Sequence, residues 1–198
     1  MTAPDAITAS TSAGDASTAL RLYQTGELDI TGAFNFPTDL LSEVQGQADF
    51  KQVNQFFVTY IGFNNARAPF NDVRVRQAFA QAVDKDVLVN QVLGGAVVRS
   101  DTLIPPGMPG FNEKAEIQAF NADSAKQLLK DAGFENGANF PAVAFSINNQ
   151  DPNYAKIAAF LQQQWKENLN VDVTINTLEL SAFNEALTAT ANDPAADG

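Results

Sequence analysis

Apolar positions recur at helical spacing through PFNDVRVRQAFAQAVDKDVLV, Pro69 to Val89. Val75, Ala78, Phe79, Ala82 and Val83 form one stripe, the i, i+3, i+4 pattern of a helix with a single buried face. Asn71 or Asp72 can cap that helix, because a short side-chain oxygen accepts from the orphan amides of the first turn. Asp84 can cap a second helix, with Val87, Leu88 and Val92 as its stripe and Gly94 as its C′ stop. The pattern predicts two helices meeting at a corner over a buried seam.

The same reading extends along the chain. Ala6 to Ser12 is a short strand or a mobile end, and Ala16 to Gln24 a short helix stopped by Gly26. Glu27 to Ile30 alternates like a strand. Pro37 to Val44 is a helix with proline in its first turn, where a missing N–H is harmless. Val53 to Asn64 is β-branched and aromatic and predicts a long strand. Ser100 to Gly110 is a strand end running into a Pro/Gly loop. Ala122 to Ala132 is an amphipathic helix closed by Gly133. Ala142 to Asn148 predicts an apolar strand, Pro152 to Leu169 a long helix, and Val171 to Leu178 a second strand. In that strand Val171, Val173 and Ile175 share the buried side. Strand, helix and strand at this spacing predict a right-handed βαβ unit with parallel strands. Ser181 to Ala189 begins another helix, and the closing ATANDPAADG reads as an unfinished or frayed end. The fold class is α/β.

Composition narrows the function. The chain has 198 residues, enough for one large or two small domains, and 45% are hydrophobic. No apolar run reaches the ~20 residues of a membrane span. Twelve basic against 23 acidic residues give a net charge of −11, which argues against a nucleic-acid or anionic-membrane partner for want of a basic patch. There is no cysteine and no histidine, so disulfides, thiol nucleophiles, the usual zinc sites and Ser-His-Asp catalysis are excluded within the chain. The start, MTAPDAITASTSAGDAS, has neither the basic nor the apolar region of a signal peptide, and reads as an expressed piece or an internal fragment.

Few residues offer chemistry. Glu27 and Asp29 share one strand face and form a pair fit for acid–base work, or simply a solvated edge. Arg74 and Arg76 make either a carboxylate clamp or a surface pair locked to Asp72, Asp84 or Asp86, the scaffold role being favoured. Phe56, Phe57, Tyr60 and Phe63 lie along the predicted strand as core, or with one face toward a ligand. Asn148 and Asn149 end a predicted parallel strand, where open α/β sheets bind ligands; the alternative is a turn with Asn149 or Asp151 as N-cap. Trp165, beside Gln162 to Gln164, fits helix packing.

Several segments together carry a resemblance: LRLYQTGELDI (20–30), TYIGFNNARAPFNDVRVRQAFAQAVDKDVLV (59–89), IPPGMPG (104–110), DSAKQLLKDAGF (123–134) and FLQQQWKENLNVDVTI (160–175). In order and spacing they resemble the middle of the extracytoplasmic solute-binding proteins of ABC transporters, the oligopeptide-, dipeptide- and nickel-binding family 5. The resemblance implies a type II periplasmic-binding-protein fold, two lobes closing over a ligand, of which this chain looks like an internal fragment. Residues 1–62 would end lobe one, Phe63 and Asn64 would be a hinge crossing, and residues 65–198 would begin lobe two with a mostly parallel sheet.

The implied function is capture of a solute, foremost a peptide, outside the cytoplasm for delivery to a membrane permease. It needs no catalysis, cofactor or metal. The family's periplasmic or lipid-anchored setting comes with the resemblance. Tyr60, Phe57, Gly62 and Asn148 match positions that approach ligand. The acidic Asp-Tyr-x-x-Pro-type amine anchor of many members would fall beyond Gly198, so a fragment is expected to bind weakly. Two other readings stand beside this one. A hydrolase-like enzyme would use Ser/Lys or carboxylates, though no GxSxG or SxxK string occurs. A structural module would bind nothing.

Overall fold

The computed structural model describes residues 16–31, 38–53, 56–112, 114 and 118–192. The expected strand at Ala6 to Ser12, Pro37 and the C-terminal ATANDPAADG beyond residue 192 lie outside them. The chain divides into two compact units, Met1–Lys51 and Gln52–Gly198.

In the first unit, α1 spans Ala16–Gln24 and buries Ala19 and Leu20. Gly26, at φ +79°, ends its turn in a conformation that favours glycine. A 3₁₀ turn at Thr38–Leu40 runs into α2, Leu41–Val44, which buries Leu41 and Val44. Glu27 to Ile30 is not a strand: it is a bend with Ile30 in an isolated bridge. Thr25 binds both the Leu22 carbonyl and the Glu27 carboxylate, folding the segment back on the helix end. Tyr23 Oη donates to Asp49.

The second unit is built on α3, Val73–Gln81, capped by Asp72, whose Oδ1 accepts from Arg74 N at 2.8 Å. Asp84 caps α4, Lys85–Val87, by accepting from Asp86 N and Val87 N at 3.0 Å each. Leu88–Val92 continue it as a π turn, and Gly94 follows at φ +58°. The predicted stripe of this second helix is only half-buried; Leu93 is the residue that goes inside. Then come α5, Ala122–Asp131, capped by Asn121, and a 3₁₀ turn at Glu135–Gly137.

Strand β1, Val143–Asn148, leads through α6, Pro152–Leu169, to β2, Val173–Leu178. The two strands pair in parallel, Val143 with Val173 through Asn148 with Leu178. That is the predicted βαβ unit, and α7, Leu180–Asn192, follows it. Val171 and Val173 are buried, whereas Ile175 is only half-buried. Among the described residues the sheet has two strands, so each strand has one free edge.

One core holds this unit together. The α3 stripe Val75, Ala78, Phe79 and Ala82 packs on Ala125 and Leu129 of α5 and on Leu161, Trp165 and Leu169 of α6. Alanines at the α3–α5 contact let the backbones approach. Phe79 sits at the centre: its ring is 5.2 Å from both Phe70 and Trp165 and 5.6 Å from Phe140. Trp165 is 2% exposed, and its Nε1–H donates to the Phe79 carbonyl at 3.0 Å, so the indole is buried with its polar atom satisfied. No helix of the described residues is long and apolar enough to cross a membrane.

Candidate functional site

The segment from Phe56 to Asn64 forms neither a helix nor a strand. Extended backbone joins a sheet only when a neighbour takes up its N–H and C=O groups, and the described residues supply no ladder partner here. From Tyr60 to Phe63 the side chains alternate. Ile61 and Phe63 turn onto the core, Phe63 lying 4.9 Å from Phe70 and edge-on to Phe79 at 6.1 Å. Tyr60 and Gly62 face out.

Phe56, Phe57 and Tyr60 were candidates for core or for a ligand face; they lie outside the core, with Phe57 70% and Tyr60 72% exposed. Phe56 borders the loop containing IPPGMPG, since a Cβ added at Gly107 would lie 3.5 Å from its ring. Gly62 is not in a left-handed conformation, and a Cβ added there would meet nothing within 4 Å. Neither turn geometry nor packing within the described residues requires glycine at this position. Asn64 opens the following turn, its Oδ1 accepting from Ala66 N at 3.2 Å.

A second group of polar side chains stands at the carboxyl edge of the parallel strands. Asn148 Oδ1 accepts from Gln150 N at 3.0 Å, which makes Asn148 a turn-former while leaving its amide NH₂ pointing to no partner among the described residues. Asn149 N donates to Leu178 O at 3.0 Å and extends the ladder by one bond. The Asn149 amide donates to Glu179 Oε1 at 2.6 Å, and Gln150 Nε2 donates to Asn149 Oδ1 at 3.2 Å. Asp151, not Asn149, caps α6 by accepting from Asn153 N at 2.8 Å. Glu179 escaped the sequence reading, although its position one residue past a parallel strand carries the same signal as Asn148.

The other charged candidates serve the scaffold. Arg74 forms a fork with Asp72 (Nε at 3.1 Å to both oxygens, Nη2 at 2.5 Å) and reaches the Asp131 carbonyl with Nη1 at 2.6 Å, tying α3 to the end of α5. The hydrogen bond from the Arg74 guanidinium holds the Asp72 carboxyl below the usual carboxylate range. Arg76 Nη1 donates to Phe70 O at 2.6 Å. Asp84 and Asp86 are not their partners: Asp84 is a cap, and Asp86 accepts from Arg99 at 2.7 Å.

Sequence reasoning missed a small ion network. Asp101 binds Lys85 at 2.6 Å and Arg99 at 3.0 Å, fastening the 99–101 segment to α4. Burial pushes the Asp101 carboxyl up, but the two cations outweigh it and leave it below the ordinary range. Glu27 accepts from the Thr25 hydroxyl on an exposed bend.

Comparison with known proteins places these features in a family. Residues 2–196 match the model of the bacterial extracellular solute-binding proteins, family 5 middle region. The dipeptide-binding protein of Escherichia coli K12 is 35% identical over 127 residues, covering 64% of this chain and 24% of that protein. The oligopeptide-binding protein of Bacillus subtilis is 29% identical over 178 residues, covering 86% and 32%. Among solved structures, a periplasmic oligopeptide-binding protein of Borrelia burgdorferi superposes with a TM-score of 0.72 at 30% identity, covering 91% of this chain and 35% of that one. The chain thus spans a third or less of the length of these two curated relatives.

Proposed function

Since the chain belongs to the bacterial extracellular solute-binding proteins of family 5, we propose that it takes part in capturing a peptide or similar small solute outside the cytoplasm and handing it to an ABC permease, with no covalent chemistry. The relatives' names support a peptide: they bind dipeptides and oligopeptides. The observation that carries the reading is the pair of outward positions Tyr60 and Gly62 alternating with the inward Ile61 and Phe63. The core holds the backbone, so the tyrosine is presented on a fixed support. An aromatic body with a polar tip suits an amphipathic ligand. A glycine with open space above it lets a ligand backbone approach. Phe57 adds a second exposed aromatic ring nearby in sequence, and Asn148 offers an amide donor, unpartnered among the described residues, of the type a peptide carbonyl needs.

The domain reading proposed with this function assigns residues 1–62 to lobe one, 65–198 to lobe two and Phe63–Asn64 to a hinge crossing. Two features support a fixed pivot there: the Phe63 ring is anchored in the aromatic core, and Asn64 closes its own turn.

The test is a titration of the isotopically labelled chain with tri-alanine, followed by nuclear magnetic resonance, which detects affinities as weak as millimolar. Saturable shifts at Tyr60 and Gly62 that Tyr60→Ala abolishes are expected. Shifts that ignore Tyr60→Ala, or no saturable shift at all, would reject the site.

A further inference from the structure

The carboxyl edge of β1 and β2 carries more than a hydrogen-bonding asparagine. Glu179 follows the last residue of β2, and its Oε1 takes the Asn149 amide proton at 2.6 Å. Asn149 is itself positioned from two sides, through its backbone bond to Leu178 O and through Gln150 Nε2 at its Oδ1. The chain Gln150–Asn149–Glu179 therefore fixes where the carboxylate points. Among the described residues no lysine or arginine pairs with Glu179. Every other charge-bearing contact described above closes within the scaffold: Asp72 with Arg74, Asp101 with Lys85 and Arg99, Asp86 with Arg99. Glu179 is exposed, and among the described residues its Oε2 has no hydrogen-bond partner.

We infer that Glu179, oriented by Asn149, is a cation-recognition point that selects ligands carrying an ammonium or guanidinium group. The inference rests on the peptide-capture reading above and names the ligand class within it: cationic peptides. A carboxylate with one oxygen held by an amide donor still has its other oxygen available as an acceptor, and an N⁺–H···O⁻ bond is about twice as strong as a neutral one. The location fits as well, since open α/β sheets bind ligands beyond the carboxyl ends of their strands. The net charge of −11 adds a long-range pull on cations that is screened by salt.

A purely structural role is the competing account: Glu179 precedes α7, and its carbonyl accepts from Phe183 N at 2.9 Å. A carboxylate before a helix favours the helix whatever the ligand. The probes are therefore Ala-Lys-Ala and Ala-norleucine-Ala, which differ by the ammonium group. Each is titrated into the labelled 198-residue chain, with Kd read from the Asn149 and Gln150 side-chain amide signals and thermal midpoints recorded in parallel. The lysine peptide should bind about fivefold to tenfold tighter at ~0.01 M salt, and the ratio should shrink at ~0.15 M. Glu179→Gln should bring the ratio to about one, and Glu179→Asp should restore part of it.

Equal affinities for the two peptides in the unsubstituted chain, or a preference that survives Glu179→Gln, overturns the cation point while leaving peptide capture intact. Saturation by neither peptide removes the capture reading and this inference with it. Loss of thermal stability in Glu179→Gln with an unchanged ratio assigns the residue to α7 alone and also overturns it.

Discussion

Gly137 has no room for a side chain. Its φ is +73°, and an added Cβ would lie 2.3 Å from the carbonyl oxygen of Asn170. That carbonyl belongs to the left-handed cap of α6, whose Asn170 side chain donates to Asn136 O at 3.0 Å, so the two turns lock. Gly137→Ala must strain a left-handed backbone and displace another main chain. It should cost more than about 2 kcal/mol in urea unfolding. Gly62→Ala is the contrast: with open space and no left-handed φ it should leave stability within about 0.5 kcal/mol, so any loss of peptide affinity it causes reports ligand approach. Trp165→Phe keeps the aromatic packing but deletes the donor to Phe79 O, leaving a buried carbonyl unpaired. A loss of about 1–3 kcal/mol is expected from the urea midpoint, and no loss would mean that water takes the donor's place.

At the scale of elements, the corner after α3 depends on one side chain. Asp84 Oδ1 accepts from two backbone amides of α4, so Asp84→Ala should cost about 1 kcal/mol. An unchanged denaturant midpoint would show that α4 is held by other contacts. The Lys85–Asp101–Arg99 network fastens the 99–101 segment to the same helix and adds a pH dependence. The folded carboxyl of Asp101 is depressed, so its contribution is fully present above the ordinary value of about 3.9 and is lost as pH falls through and below it. The urea midpoint should drop as pH falls below about 4, and it should drop less in Asp101→Asn. The elements named by strong periodicity and caps, α1, α3, α5, β1, α6 and β2, were legible in the sequence because each has a local cause: a stripe, a capping oxygen, an alternation. The segments 27–30 and 56–64 were misread as strands. Their β-branched and aromatic character marks what could pair, whereas pairing itself needs a neighbour that local sequence does not supply.

The whole molecule divides unevenly. Among the described residues, the aromatic core, both strands and five of the seven α-helices lie in residues 52–198, whereas the buried apolar residues of the first unit are Ala19, Leu20, Leu41 and Val44. Stability follows buried apolar area, so a chain cut to residues 52–198 should keep Trp165 shielded, with blue-shifted emission and a cooperative unfolding transition. Emission near that of free tryptophan would show that the core needs the first unit.

The sequence by itself determined the α/β class, the βαβ unit, the Asp84 cap and, through the ordered set of segments from LRLYQTGELDI to FLQQQWKENLNVDVTI, the family. Those are properties of periodicity and local hydrogen bonding, written within a few residues of where they act. Only the tertiary structure decided that Phe57 and Tyr60 stand outside the core while Phe63 enters it, and that Arg74 is spent on Asp72 and Asp131. Only the structure, too, decided that Glu179 meets Asn149 across thirty positions of sequence. Burial and side-chain partners depend on which elements pack against one another, and that is settled by the joint filling of one core rather than by any segment's own pattern.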